Sequence, residues 1–221
     1  MELYEVMRTA FSAREFRDEA VPDEVLVRIL ENARFAPSGG NRQGGHVIVV
    51  RDAATKAAIG ELAAPAAKRY AAQVAAGESP WNTIVPPGVS AATIAATQAP
   101  AGLVKTYERA PVVLVVCVDL RVVASVDSEL ERVGVISGAS IYPLVWNILL
   151  AARNEGYGGA LTTMPIGEER RLQALLGIPE YVAVAAVLPL GRPVTQLTKL
   201  RRKPVSDFVV RERWGGEPLS E

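Results

Sequence analysis

The sequence predicts an α+β domain. Three or four short β-branched runs alternate with segments of helical period, which suits a sheet packed against helices. About half of the 221 residues are hydrophobic, enough to bury the core of one domain. No glycine-rich loop leads from a strand into a helix, as a dinucleotide-binding unit requires: Gly39-Gly40-Asn41 precedes a strand instead.

Leu3, Val6, Met7 and Ala10 fall at helical spacing and predict a short first helix. A second helix is expected over Pro22–Arg34. Proline suits its first turn, Asp23 and Glu24 its positive end, and Val25, Leu26, Ile29, Leu30 and Ala33 form the buried stripe. Residues 36–45 are a loop of glycine and small polar residues, and His46–Val50 is a strand. Ala53–Leu62 and Ala66–Ala76 predict two helices. Residues 77–90 are barred from regular structure by proline and glycine, and Ala91–Glu108 reads as one alanine-rich helix. Val112–Val118 is a continuous apolar run, a buried central strand. Ser137–Asn154 is apolar nearly all round, a buried or interface helix. Gly158–Thr163 and Tyr181–Leu188 are strands, with a short helix at Glu168–Leu176 between them. From Gly191 the chain is polar, basic and proline-punctuated, and it carries an isolated Trp214.

Charge and composition limit the function. Twenty-four basic residues balance twenty-four acidic ones, which argues against a general nucleic-acid binder. Cys117 is the only cysteine, so no internal disulfide can form; within its apolar run it reads as an inert buried thiol. The N-terminus lacks the pattern of a signal peptide, and no apolar run is long enough to span a bilayer. A soluble, cytoplasmic protein is expected. His46 is the only histidine and reads as structural, so neither a Ser-His-Asp set nor a histidine-rich metal site can be assembled. Glu129 and Glu131 fall on a solvated stretch. With no strong acid, base or nucleophile set, the chemistry points to a cofactor.

Three segments carry that signal. In Phe11-Ser12-Ala13-Arg14, an arginine comes after a helix and a hydroxyl residue, which suits a phosphate; alone, a surface arginine in a turn would look the same. Pro37-Ser38-Gly39-Gly40-Asn41-Arg42-Gln43 combines close backbone approach with side chains able to bond the polar edge of a heterocycle, or is a plain helix-to-strand turn. Leu200-Arg201-Arg202-Lys203-Pro204 is a basic cluster, either solvated or reaching back to a phosphate.

Together, in order and spacing, these segments resemble the nitroreductase family. Its opening Arg-Arg-Ser-x-Arg stretch, which binds the phosphate and ribityl chain of FMN, corresponds to Ala10-Phe11-Ser12-Ala13-Arg14. Its Pro-Ser-x-x-Asn-x-Gln loop is matched by Pro37, Ser38, Asn41 and Gln43. A long apolar helix then leads to a Gly-Tyr-Gly-Gly turn at 156–159, and Leu188–Pro193 and Arg202–Pro204 match the closing motifs. The likeness covers the chain except for about residues 63–105. It implies one domain over 1–221 with a central, mostly antiparallel sheet, a variable cover at about 63–105 and a C-terminal arm from about 191, in an intertwined homodimer. The departures are Ala10 and Phe11 in place of arginines, with Arg8 or Arg201 as possible substitutes. Gly44-Gly45 stand where Pro-Trp is common, which is expected to make that loop more mobile.

The resemblance further implies FMN held by Ser12, Arg14, Pro37, Ser38, Gly39, Asn41, Gln43, Lys105, Leu161, Thr162, Thr163 and Arg202. NAD(P)H is the implied electron donor, with ping-pong turnover to a nitroaromatic or quinone. Lys105 is the expected positive group beside the reduced ring, or a solvated helix-end lysine. Trp81, in the cover, is the expected stacking residue for the acceptor, or packs the loop onto the body. No metal, membrane or nucleic acid is expected. The alternatives are reductive dehalogenation and non-catalytic flavin binding. Leu161-Thr162-Thr163-Met164-Pro165 resembles the Thr-Thr-Thr-Pro of the iodotyrosine deiodinase branch, but Met164 replaces its last threonine.

Overall fold

The structure, a computed structural model describing residues 1–219, is organised by the apolar run at its centre. Strand β2 (Val112–Asp119) is buried at every position. It lies between β1 (Gly45–Val50) and β4 (Val182–Gly191), and the short β3 (Gly158–Gly159) closes the other edge. The order is β1-β2-β4-β3 and every pairing is antiparallel. Successive side chains of a strand point to opposite faces, so a strand covered on both sides must be apolar throughout. Val112, Leu114 and Val116 meet α2 (Asp23–Ala33) and α6 (Tyr142–Asn154) on one face. Val113, Val115 and Cys117 meet α3 (Ala53–Ala75), α5 (Ala101–Arg109) and α7 (Glu169–Leu176) on the other. The molecule is thus a sheet between two helical layers. Register shifts by one residue between Val116 and Cys117, leaving Ala185 as a bulge in β4. Among the described residues no helix is long and apolar enough to cross a membrane.

Helix α1 (Leu3–Thr9) forms where expected, but of its predicted stripe only Val6 and Ala10 are buried, while Leu3 and Met7 are exposed. Helix α2 follows its stripe, with Val25, Leu26, Ile29 and Ala33 buried and Leu30 partly so, and Pro22 sits one position earlier, at the N-cap. Four boundaries differ from the sequence reading. Residues 53–75 form one helix running through Pro65. An interior proline costs about 3 kcal/mol, but here both halves are anchored: Ile59, Leu62 and Ala63 before it and Ala66 and Ala67 after it are buried. The segment 91–108 is two helices, α4 (Ala91–Ala96) and α5, because Pro100 lacks an N–H and becomes the cap of α5. The apolar helix starts only at Tyr142; Ile136–Ser140 is a 3-10 turn, and Pro143 occupies the first turn that suits it. The strand expected at 158–163 is a ladder only at Gly158–Gly159, continued by an isolated bridge from Thr162 to Val187.

Two single residues separate in character. Cys117 is buried, and desolvation pushes its thiol up to about 11, which makes it unreactive. His46 is exposed on the edge strand rather than packed in a core. Trp214 is fully exposed, and the last two residues of the C-terminal arm lie outside the described residues.

Candidate functional site

Beyond α1 the chain runs extended alongside β3. Ser12 bridges Gly159 in parallel, and the Ala13 N–H donates to the Gly159 carbonyl at 3.1 Å. This close approach needs glycine: a Cβ at Gly159 would lie 2.7 Å from the Pro189 carbonyl oxygen, and one at Gly158 would lie 2.9 Å from Pro193 Cγ. Helix α5 anchors the next stretch of chain. The Thr106 hydroxyl donates to the Arg14 carbonyl at 3.2 Å, and the Tyr107 hydroxyl is hydrogen-bonded to Thr162 Oγ1. Tyr107 is fully buried, and burial pushes its phenol up to about 12, so it stays protonated. Arg14, Lys105 and Thr162 are thereby gathered around one turn of α5. Arg14 and Lys105 are exposed and make no ion pair among the described residues.

On the other side of the Ser12 segment is a cavity of about 130 Å³. Ser12, Arg153, Leu161, Gln196 and Arg202 line it, with Gly158 and Gly159 as a wall. Among the described residues no carboxylate lines it. The arm that carries Arg202 is tied down by Gln196, whose Nε2 donates to the Thr9 carbonyl at 3.1 Å. Arg202 Nη1 donates to the Arg201 carbonyl at 2.7 Å. Neither Arg8 nor Arg201, the expected substitutes for the missing arginines, lines the cavity; Arg153 does. Sequence reasoning passed over Arg153 because it ends a helix read only for its apolar face. The available signal was that it is the only charged side chain in 137–154.

The loop at 37–43 is elsewhere. Pro37, Ser38 and Gln43 line a second cavity of about 140 Å³ with Ser140 and Leu144, and the two cavities share no residue. Helix α6 divides them: Leu144 lines one, and Trp146 and Leu149 line the other. The loop is tightly wound. Gly40, Asn41 and Gln43 have φ of 59°, 52° and 50°, the Gln43 N–H donates to Ser38 Oγ at 3.0 Å, and the Gly39 N–H donates to Ser140 Oγ at 3.2 Å. Gly44 and Gly45 fill a packing role: a Cβ would lie 2.5 Å from Val122 Cγ2 at the first and 2.8 Å from Leu144 Cδ2 at the second.

Trp81 lines neither cavity. It is 45 % exposed and has φ of 56°, with the Arg69 guanidinium 4.0 Å from its ring centroid. Its loop is held by hydrogen bonds: Glu78 accepts from Gln73 Nε2 and from the N–H groups of Gly88 and Val89. Met164 is partly buried against the core on the α3 face, while Thr163 is exposed.

Comparison with known proteins gives a consistent result. The profile described as the nitroreductase family matches residues 7–192. An NADH dehydrogenase of Thermus thermophilus is 28% identical over 207 residues, covering 90% of each chain. Iodotyrosine deiodinase 1 of Pongo abelii is 26% identical over 211 residues, covering 95% of this chain and 68% of that protein. A crystal structure of oxidized iodotyrosine deiodinase bound to FMN and 3-iodo-L-tyrosine superposes with a TM-score of 0.69 at 22% identity, covering 96% of this chain and all of that one.

Proposed function

The chain belongs to the nitroreductase family, and on that premise we propose that it is an FMN-dependent oxidoreductase, taking electrons from NAD(P)H and passing them to a flat acceptor such as a nitroaromatic or quinone by ping-pong turnover. The observation that carries this reading is the cavity beside Ser12, where two guanidiniums, a hydroxyl and an amide converge with no carboxylate among the described residues. That donor set fits a phosphate monoester, which accepts paired N–H bonds from arginine. In this reading Ser12 and Arg202 hold the phosphate in this cavity, Arg14, which does not line it, takes the ribityl chain from the α5 side, and Leu161, Thr162 and Thr163 back the ring. Tyr107 stays protonated and fixes the Thr162 hydroxyl. Lys105 supplies positive charge at the pyrimidine edge. When bound, FMN supplies the hydride and electron-transfer chemistry.

Pro37, Ser38, Gly39, Asn41 and Gln43 complete the site across a homodimer. Their cavity lies on the other side of α6 from Ser12, so a two-fold copy packed on α6 brings the loop of one chain to the cavity of the other. The apolar surface supports this arrangement: Trp146 on α6 is 44 % exposed, and Leu3, Tyr4, Phe208 and Trp214 are exposed in sequence-distant elements. Trp81, from the cover segment, is the proposed acceptor contact.

A second reading has its own support. Both the deiodinase relative and the deiodinase structure favour reductive dehalogenation of a halophenol. Against it stands Met164, partly buried and packed against the core where the deiodinase-like motif has a threonine. One experiment separates the readings: oxidation of NADH and NADPH by the purified protein across nitroaromatics, quinones and halophenols, with flavin content and light-scattering mass determined on the same sample. We expect one FMN per chain, a dimer, and fastest turnover with nitroaromatics or quinones. Halide release as the fastest reaction would favour the second reading. A colourless protein that takes up no FMN overturns both.

A further inference from the structure

We infer that Arg153 is an anion ligand of the cavity beside Ser12, supplying the positive charge that Ala10 and Phe11 do not; the inference rests on the FMN reading above and gives the phosphate a second guanidinium beside that of Arg202.

Arg153 lies in the last turn of α6, where a cation complements the negative end of the helix. That alone would make it a structural residue, but its surroundings ask for more. It is only partly exposed, and its Nε donates to Thr9 Oγ1 at 3.0 Å. Thr9 is itself buried and anchored, its hydroxyl donating to the Glu5 carbonyl at 2.7 Å. Because the guanidinium is planar, this one bond fixes the plane and leaves both terminal nitrogens to point elsewhere. Among the described residues those nitrogens have neither a hydrogen-bond acceptor nor an ion-pair partner.

Arg202 enters the same cavity from the C-terminal arm. Thr9 links the two, since its hydroxyl receives Arg153 and its carbonyl receives Gln196 of that arm. Two like charges lining a cavity of about 130 Å³ with no carboxylate among the described residues repel each other. An anion between them reverses the sign of the interaction and satisfies both sets of unused donors. Ala10 lines the same cavity and brings only a methyl group. The charge absent from the opening segment is thus restored from the end of α6, a distant part of the chain.

The test is flavin titration of wild type, Arg153→Gln and Arg153→Lys, each with FMN and with riboflavin, which lacks the phosphate, monitored by flavin fluorescence. Melting of the flavin-free variants is recorded alongside. Losing a hydrogen bond to a charged group should weaken FMN about ten- to hundredfold in Arg153→Gln. Riboflavin binding should stay within about twofold, and Arg153→Lys, which keeps the charge but not the fork, should fall between. FMN affinity unchanged in Arg153→Gln overturns the inference while leaving the FMN reading intact. FMN and riboflavin weakened alike, or FMN weakened only in step with the melting temperature, also overturns it and leaves Arg153 a structural role. If Arg153→Gln does not fold, Arg153→Lys decides by the same FMN-to-riboflavin comparison. A wild type that binds neither flavin removes the FMN reading itself, and with it this assignment.

Discussion

Substitution of Gly159 by alanine tests the local geometry on which the site depends. A Cβ there would stand 2.7 Å from the Pro189 carbonyl oxygen and 3.2 Å from Leu149 Cδ2. The nearer contact is backbone of β4, the strand to which β3 is bonded, so no flexible side chain can move aside. Restoring an ordinary carbon–oxygen contact of about 3.3 Å requires a shift of roughly 0.6 Å. Overpacking of this kind costs about 1–3 kcal/mol. For a chain of this length that lowers the melting temperature by about 2–12 °C. The shift also reaches the site, because the Gly159 carbonyl accepts the Ala13 N–H and so positions the Ser12–Arg14 segment. FMN affinity should therefore fall together with stability. Gly102→Ala is the matched control. Gly102 is exposed within α5 and a Cβ there would meet nothing within 4 Å. That change should leave stability unaltered or raise it by up to about 1 kcal/mol, since alanine is the better helix former. The assay is thermal unfolding by circular dichroism with and without FMN, together with flavin titration. Equal melting temperatures for Gly159→Ala and wild type would refute the close approach of the two strands, and with it the account of how Ser12 is positioned.

Arg14→Ala and Arg202→Ala should each weaken FMN by about one to two powers of ten; flavin retained through dialysis in both variants would show that the phosphate lies elsewhere. Asp127 is 3 % exposed and accepts from the Val135 N–H at 2.8 Å, from Arg132 at 2.8 Å and from the Ser125 hydroxyl at 3.0 Å, bonds that hold its carboxyl well below the usual carboxylate range. Its folded pKa is depressed, so its stabilising contribution is full above the unfolded value of about 3.9 and fades as pH falls toward the folded value. The gap in melting temperature between wild type and Asp127→Asn should therefore be widest near neutrality and narrow below about pH 4; a gap independent of pH would contradict the assignment. Trp81→Ala removes the stack on Arg69, worth about 0.5–1 kcal/mol at an exposed position, and should also reorder the acceptors in steady-state rates. A lower melting temperature with the same acceptor order would leave Trp81 only its contact with Arg69.

Features that depend on neighbours along the chain were legible in the residue order alone. The apolar run Val112–Val118 reads as a strand covered on both faces, and β2 contains it. The stripe of α2 comes from a period of 3.6 residues, and the loops at 36–45 and 77–90 from glycine and proline. Ser12, Leu161 and Arg202, taken from the likeness of short motifs, do share a cavity. Local rules erred where a long-range contact outweighed them. Pro65 reads as a helix end, yet burial on both sides carries α3 through it. Only the tertiary structure separated the 37–43 loop from Ser12, because α6 lies between them and motif order carries no information about sides of a helix. Only the tertiary structure also brought Arg153 to Ser12. A single arginine ending an apolar helix has no partner in its own sequence window; its surroundings are set by the packing of α1 and the C-terminal arm against α6, contacts between residues far apart in the chain.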